Sequence, residues 1–465
     1  MVEIELKFQI SEARRTALLK ALDPKKSETI QLQAKYFDTP DRLLAQHGAA
    51  LRQRLEGTSW IQTLKAAGKS HLHRFEHNHN LGELESSPEL DLSIYEAIPE
   101  AQQILNQALG VDAAALKLTF ETDIQRTYRV IEFEDAEIEV CLDVGVVRAS
   151  GREQTIHEVE FELKSGSVQS LLAFSFEWVK KYQLWLDVRS KAEMGNLLAL
   201  EQTVSPARFE KEFVLSKKES AAHNLSLLIG QQMQHLLPNI AAISAGVAEQ
   251  SHIDQAQTAL EHLQLTLALF KDWNSNISDK WAMQLAAFKH QFDHLQHLQH
   301  MQSTLGAFLQ NPTTTENLAK DILYAQEKLG NLVKSTQNVH HYLELLTFSL
   351  SSHDQVQKQD LKTYAHNTLQ NQYRQLQESL NAADISHFES LDVLAQKIKE
   401  LKFSFPILTS IYDVKNLQKY SKALNDAQQA AHEYQILATS AAYIQQTELE
   451  ASDWFVLGWL TAKLE

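Results

Sequence analysis

The chain has 465 residues, with 43 Lys and Arg against 59 Asp and Glu and a formal net charge of −16. That is long enough for two or three domains, each with a full core, and too acidic for general nucleic-acid binding or for attraction to an anionic membrane surface. The single cysteine, Cys141, rules out an internal disulfide framework. The acidic start is unlike a signal peptide, and no window approaches 18 uninterrupted apolar residues. A soluble cytoplasmic protein without a membrane span is expected.

Composition changes near residue 205, since nine of the 14 glycines and 11 of the 13 arginines precede it. Thr203-Val204-Ser205-Pro206 reads as a linker, giving a strand-rich domain at 1–204 and a helix-rich domain at 205–465. The first strand is predicted at the N-terminus, where Val2, Ile4, Leu6 and Phe8 alternate with Glu3, Glu5 and Lys7. Ser11 suits the N-cap of a helix carrying Ala13, Ala17, Leu18 and Leu22, which stops before Pro24. Strands follow at Gln31–Phe37, ended by Asp38-Thr39-Pro40-Asp41, at Ala50–Glu56 with a turn at Gly57, at Trp60–Lys65 and at His71–His77. A helix is expected between Pro99 and Leu109. Strands then cover Leu116–Arg129, Val130–Phe133, Glu137–Leu142, Val146–Ala149 and Ile156–Leu163. Val168–Lys180 reads as helical, and Ser190-Lys191-Ala192 opens a short helix.

In several of these strands the polar face is ionic. Arg52, Arg54 and Glu56 share one face; Glu137, Glu139, Cys141 and Asp143 share another; Glu158, Glu160, Glu162 and Lys164 share a third. Such strands form either a sandwich with charges outward or a closed barrel with charges inward and helices over its apolar outside. Like charges on one face repel unless a cation lies between them, so the inward arrangement predicts a metal.

Glu3-Ile4-Glu5-Leu6-Lys7 resembles the Glu-x-Glu-x-Lys signature of the CYTH superfamily, the triphosphate tunnel metalloenzymes. Tyr36-Phe37-Asp38-Thr39-Pro40, Leu51-Arg52-Gln53-Arg54, Thr63-Leu64-Lys65, Leu142-Asp143 with Gly145, Glu158-Val159-Glu160-Phe161-Glu162 and Ser190-Lys191 follow in that family's order, over about residues 1–200. The resemblance implies an α+β chain whose first domain is an eight-stranded antiparallel β-barrel with a triphosphate-binding tunnel and flanking helices. It implies that Lys7, Arg52, Arg54, Lys65, Arg126 and Lys191 hold phosphate oxygens. Arg129 lies three residues from Arg126, on the opposite face of the same strand. Glu3, Glu5 and Glu160 or Glu162 would bind one Mg2+ or Mn2+. Glu56, Asp143 and Glu158 would hold a second ion or orient water, and Glu76 would support the bases. Lys7, Arg54, Glu56, Asp143, Glu158 and Lys191 would carry catalysis. For each acid, a structural ion pair is the alternative.

The implied reaction is hydrolysis of tripolyphosphate to pyrophosphate and phosphate. Thiamine and nucleoside triphosphatases and adenylyl cyclases share the tunnel, and Trp60, His71 and His73 could stack on an organic moiety. A polyphosphate-binding protein that does not hydrolyse its ligand is the reading of a different class.

From Ser205 onward the sequence reads as all-helical. Leu225, Leu228, Ile229, Met233, Leu236 and Leu237 recur at helical spacing, as do the apolar residues of 260–270 and 343–350. Breaks are expected at Pro238, Pro312, Pro406 and the polar run Ser351–Asp360. Its place after a CYTH-like stretch makes this half resemble a CHAD domain, a helical bundle that in many members binds polyphosphate through rows of His, Arg and Lys. Where that row is expected, Asp254–Phe270 offers Gln257, Glu261, His262 and Gln264, and the half holds 20 Lys and Arg against 27 Asp and Glu. That leaves open a scaffold, a dimerisation surface or a docking module, with polyphosphate or a protein as partner. His290, His294 and His297 share one side of a helix at a spacing that suits a transition metal. They also flank Phe288, Leu295 and Leu298, so a packed edge explains them as well.

Overall fold

The computed structural model describes residues 2–68, 70–110, 116–273, 277–306, 308–351, 360–384, 387–412, 418–446 and 449–464. The chain forms two compact units, one of residues 1–208, 236–252 and 333–350, the other of 209–235, 253–332 and 351–465.

In the first unit the elements run β1 (Val2–Gln9), α1 (Glu12–Ala21), β2 (Glu28–Asp38), α2 (Leu43–Gln46), β3 (Ala49–Glu56), β4 (Ser59–Ala67), β5 (His73–Glu83), α3 (Pro99–Leu109), β6 (Lys117–Phe133), β7 (Ala136–Ala149), β8 (Arg152–Ser165), α4 (Val168–Tyr182), β9 (Trp185–Leu186) and α5 (Lys191–Ala199). The sheet order β5-β4-β3-β2-β6-β7-β8-β1 closes because β1 also pairs with β5. Glu3 faces Arg74 across one side of β1, while Glu5, Lys7 and Gln9 face Glu162, Glu160 and Glu158 across the other. The result is an eight-stranded antiparallel barrel, with β9 paired outside the ring to Phe8 and Gln9.

Two expected strand breaks are absent: Val130–Phe133 continues β6 to 17 residues, and Glu137–Leu142 joins Val146–Ala149 in a 14-residue β7. Their pairing runs unbroken from Glu121↔Arg148 to Phe133↔Ala136. Gly145, which reads as an interruption, has its Cα where an added Cβ would come 2.1 Å from the Asp123 carbonyl oxygen, so here glycine permits close strand approach. At the β3–β4 turn Gly57 has φ +61°, a region glycine enters without steric cost.

Pleating puts the two faces of each strand in different surroundings. Outward-facing Leu51, Leu64 and Phe75 are buried under α2 and α3 with Leu44, Tyr95, Ala101 and Leu109. Phe8 and Phe161, 5.1 Å apart, continue into Phe174 and Trp178 of α4. Burying a side chain such as Phe161 stabilises the fold by about 2–3 kcal/mol, so these helices hold the barrel's apolar exterior away from water. Inside, the face changes character along the strands. Glu139, Cys141 and Asp143 of β7 give way to Val147 and Ala149, and Glu160 and Glu158 of β8 give way to Ile156. This apolar end of the bore also takes in Leu32, Ala34, Tyr36, Phe120 and Ile124, and is stoppered by Met194 of α5. Close seating depends on Gly195, where an added Cβ would lie 2.1 Å from the Phe120 ring.

The helical elements are α6 (Ala221–Ser244), α7 (Gln250–Leu269), α8 (Asp279–Leu305), α9 (Pro312–Val333), α10 (Thr336–Leu350), α11 (Leu361–Ala382), α12 (Phe388–Thr409), α13 (Gln418–Gln445) and α14 (Ala451–Leu464). Within the first unit α10 lies along α4, with His340 Nε2 3.0 Å from the Phe176 carbonyl oxygen. Within the second, α11 to α14 pack as successive neighbours and α8 packs on α13. Pro312 begins α9, where its missing N–H is not needed. Pro238 and Pro406 break nothing: each lies inside a helix. A proline there costs about 3 kcal/mol, and burial of Leu236, Leu237 and Ile240 around one and Ile407 and Leu408 around the other offsets it. Of the polar run Ser351–Asp360, residues 352–359 lie outside the described residues; Asp360 itself caps α11 through the amides of Lys362 and Thr363.

Candidate functional site in the barrel bore

The bore holds the expected acids and bases in adjacent groups. The first is built on β1, β6, β7, β8 and the start of α5. Arg126 and Asp143 face each other in the β6–β7 register, and Asp143 and Glu158 in the β7–β8 register. Arg126 donates to Asp143 at 2.7 and 2.6 Å and also contacts Glu160. Arg129 points away from the bore, toward the Leu22 carbonyl oxygen. Ser190 caps α5 by accepting from the Glu193 amide. This sets Lys191 at the first helical position, with Nζ 2.7 Å from Asp143, 2.8 Å from Glu160 and against Glu158. Lys7 Nζ lies 4.0 Å from Glu158.

Asp143, Glu158 and Glu160 bring one oxygen each within 4.8 Å of one another, the single such group among the described residues. Glu158 is fully buried, with Lys191 Nζ against one oxygen and Lys7 Nζ 4.0 Å from the other. Burial pushes its carboxyl upward, and the nearby Lys191 and Lys7 only partly reverse this. Burial acts in the same direction on Asp143 and Glu160. There the charges of Arg126 and Lys191 win, and both carboxyls lie below the usual range. Lys191 is correspondingly held well above its ordinary value: burial opposes its charge, but the three carboxylates outweigh it.

A second group lies on β1, β3, β4 and β5. Lys65 Nζ is 2.8 Å from Glu3 and 2.6 Å from Glu76, and Arg52 is 4.0 Å from Glu76. Arg52 also donates to the Tyr36 hydroxyl at 3.3 Å. Glu5 is held by Arg74 at 3.0 Å. Burial raises the Glu3 carboxyl to about 8, with Lys65 opposing the shift. Arg54 pairs with Glu56 on the same strand. Glu162 sits nearer the rim with Glu139 around Lys164, at 2.9 and 3.1 Å.

The sequence places Glu160 or Glu162 with Glu3 and Glu5, and Glu56 with Asp143 and Glu158. The structure instead groups Glu160 with Asp143 and Glu158, sets Glu56 on Arg54, and leaves Glu162 at the rim. Arg74 and the Tyr36 hydroxyl were missed as bore groups. The signal for Arg74 was present, since it precedes Glu76 by two residues and so shares its face.

Each base in these groups touches an acid. The bore is therefore a nearly balanced ion lattice, and not a free cationic pit. An all-oxygen donor set of three converging carboxylates fits a hard divalent ion.

In the helical part, Glu261 stands where a base is expected. It is held by Lys399 at 2.6 Å and Lys289 at 3.4 Å, while His262 pairs with Glu210 at 2.9 Å. His290 and His294 are exposed and His297 is half-buried. They do not converge as a metal site among the described residues, because 3.6 residues per turn spreads the three along the α8 edge while Leu295 and Leu298 take the core.

No helix of the described residues is long and apolar enough to cross a membrane. Residues 1–196 match the CYTH domain model and residues 227–445 the CHAD domain model. The chain is 33% identical over 227 residues to the inorganic triphosphatase of Haemophilus influenzae, a match spanning 47% of this chain and 62% of that enzyme. Among solved structures, the CHAD domain from the plant Ricinus communis is similar at 14% identity and a TM-score of 0.47, covering 56% of this chain and 91% of that one. A Hippeastrum adenylyl cyclase candidate that "reveals a dominant triphosphatase activity" is similar at 17% identity and a TM-score of 0.31, covering 43% of this chain and 97% of that one. With a closed barrel over the first match and helices over the second, the chain carries a CYTH domain at 1–196 followed by a CHAD domain at 227–445.

Proposed function

We propose that the barrel is a divalent-metal-dependent inorganic triphosphatase that hydrolyses tripolyphosphate to pyrophosphate and phosphate. The observation that supports it most is the convergence of Asp143, Glu158 and Glu160 beneath Arg126 and Lys191 inside a closed bore. The H. influenzae relative, named an inorganic triphosphatase, points the same way.

Lys7, Arg52, Arg54, Lys65, Arg126 and Lys191 exchange carboxylate partners for phosphate oxygens when substrate enters. Because acids and bases nearly balance, these bases alone leave the polyanion's charge incompletely met. Mg2+ or Mn2+, held by Asp143, Glu158 and Glu160, would supply the missing positive charge on the phosphate oxygens, and Glu3 and Glu5 in the second group would offer oxygens to a further ion. Water attacks a terminal phosphorus, a new O–P bond forms as the bridging P–O bond breaks, and pyrophosphate leaves. Glu158, whose carboxyl burial pushes upward, receives the proton from the attacking water. Lys191 and Arg126 meet the charge that develops on the transferring group. The domain boundary at 204/205, a cytoplasmic location and a polyphosphate or protein partner for the helical half belong to the same reading.

The test is phosphate release from tripolyphosphate, ATP and thiamine triphosphate with Mg2+, Mn2+ or EDTA, using wild type and Glu158→Gln. Tripolyphosphate cleaved fastest, with loss in EDTA and in the variant, supports the proposal. Faster cleavage of an organic triphosphate makes the barrel a nucleoside or thiamine triphosphatase. Binding without turnover makes it a polyphosphate-binding protein.

A further inference from the structure

Arg74 belongs to none of the motifs that run through the barrel, yet it faces the bore. It stands opposite Glu3 in the β1–β5 register, two residues before Glu76 on the same face, and its Nη1 lies 3.0 Å from Glu5 Oε1. Its side chain is 22% exposed, so a ligand can reach it.

Arg74 completes a symmetry of charge. Lys7, Arg126 and Lys191 stand against Asp143, Glu158 and Glu160 in one nest; Arg52, Lys65 and Arg74 stand against Glu3, Glu5 and Glu76 in the other. β1 carries members of both, Glu5 and Lys7 being two residues apart on one face, about 7 Å along the strand. An anion lying across both nests is matched best if it is charged at both ends. Inorganic tripolyphosphate is such an anion, whereas an organic triphosphate bears an uncharged ester oxygen and a bulky group on one terminal phosphate.

We propose that Arg74 binds the second terminal phosphate, releasing Glu5 as it does so, and thereby selects triphosphates free at both ends over those esterified at one. This rests on reading the barrel as a triphosphate hydrolase.

The experiment compares wild type, Arg74→Gln and Arg74→Lys in steady-state hydrolysis of tripolyphosphate and ATP with Mg2+, with thermal unfolding as the check on folding. Loss of charge-assisted hydrogen bonds predicts that Arg74→Gln raises KM for tripolyphosphate about 10- to 100-fold, against less than about 3-fold for ATP, with Arg74→Lys in between. An equal change for both substrates, or none, overturns the proposal. If Arg74→Gln does not fold, the tripolyphosphate-to-ATP ratio of Arg74→Lys decides: a lower ratio supports it and a wild-type ratio overturns it. If wild type cleaves neither substrate, the hydrolase reading fails by itself. Calorimetric titration with tripolyphosphate and ATP then decides on Arg74, since selectivity lost in Arg74→Gln supports its role and unchanged selectivity overturns it.

Discussion

Arg126 forks onto Asp143 across the β6–β7 register, Nε to Oδ1 at 2.7 Å and Nη2 to Oδ2 at 2.6 Å, with the carboxylate wholly buried. Removing the guanidinium leaves Asp143 with Lys191 as its remaining cation. Arg126→Ala is expected to destabilise the protein by about 3 kcal/mol, read as a lower denaturant midpoint at unchanged slope. Arg126→Lys keeps the charge without the fork and should fall between the two. An unchanged midpoint in Arg126→Ala would show that Lys191 neutralises Asp143 unaided.

Glu158 is buried with Lys191 Nζ against one oxygen and Lys7 Nζ 4.0 Å from the other, yet burial still pushes its carboxyl upward, so its charge costs stability that these two cations only partly offset. In EDTA, Glu158→Gln should therefore unfold at a higher temperature than wild type. Added Mg2+ or Mn2+ should raise the wild-type midpoint and move the variant less. A wild type indifferent to both ions would remove Glu158 from the metal site.

Lys191 reaches three carboxylates from the first turn of α5. On the proposed chemistry it acts on charge that appears only in the transition state. Lys191→Ala should lower kcat by about 100- to 1,000-fold, some 3–4 kcal/mol, with KM within a few-fold. Intact turnover with a raised KM would make Lys191 a ground-state binding residue.

Glu3 is raised to about 8, burial being the main cause. A folded-state value above the unfolded one means that the native protein binds the extra proton, so this contribution to stability is full below about pH 4.5 and is lost as pH rises toward 8. In the absence of divalent ions, wild-type thermal stability should fall between pH 5 and 8 more than that of Glu3→Gln, which cannot titrate. Parallel curves for the two proteins would place the proton elsewhere.

Gly195 holds α5 against Phe120, where an added Cβ would come 2.1 Å from the ring. Gly195→Ala should cost about 1–3 kcal/mol as an overpacked contact and, by tilting α5, should lower turnover along with stability. Stability lost with turnover unchanged would show that Lys191 keeps its place when the helix moves.

The barrel was legible because its strands alternate at period 2 and the alternation is ionic, a pattern that only a charged interior or a solvated face explains. The residues could not say which, since both place Glu158, Glu160 and Glu162 on one side. Closure depends on β1 pairing with both β5 and β8, a long-range choice with no local signature. The partners of each acid were less legible still. Glu160 joins Asp143 because β7 and β8 pair in one particular register, and Arg74 reaches Glu5 because β1 changes neighbour near Glu5. In the helical half, Pro238 and Pro406 looked like stops because their local cost is visible in sequence, whereas the burial that outweighs it is not.

The Met194 stopper makes the bore a cul-de-sac at that end. On the proposed hydrolase reading, a long phosphate polymer could offer its terminus but not be threaded past α5, so cleavage along a chain would have to proceed by repeated withdrawal and re-entry. On the same reading, pyrophosphate formed inside would have to leave against the next incoming substrate, and a turnover rate limited by product escape, with competitive product inhibition, would be the kinetic signature of that blind end.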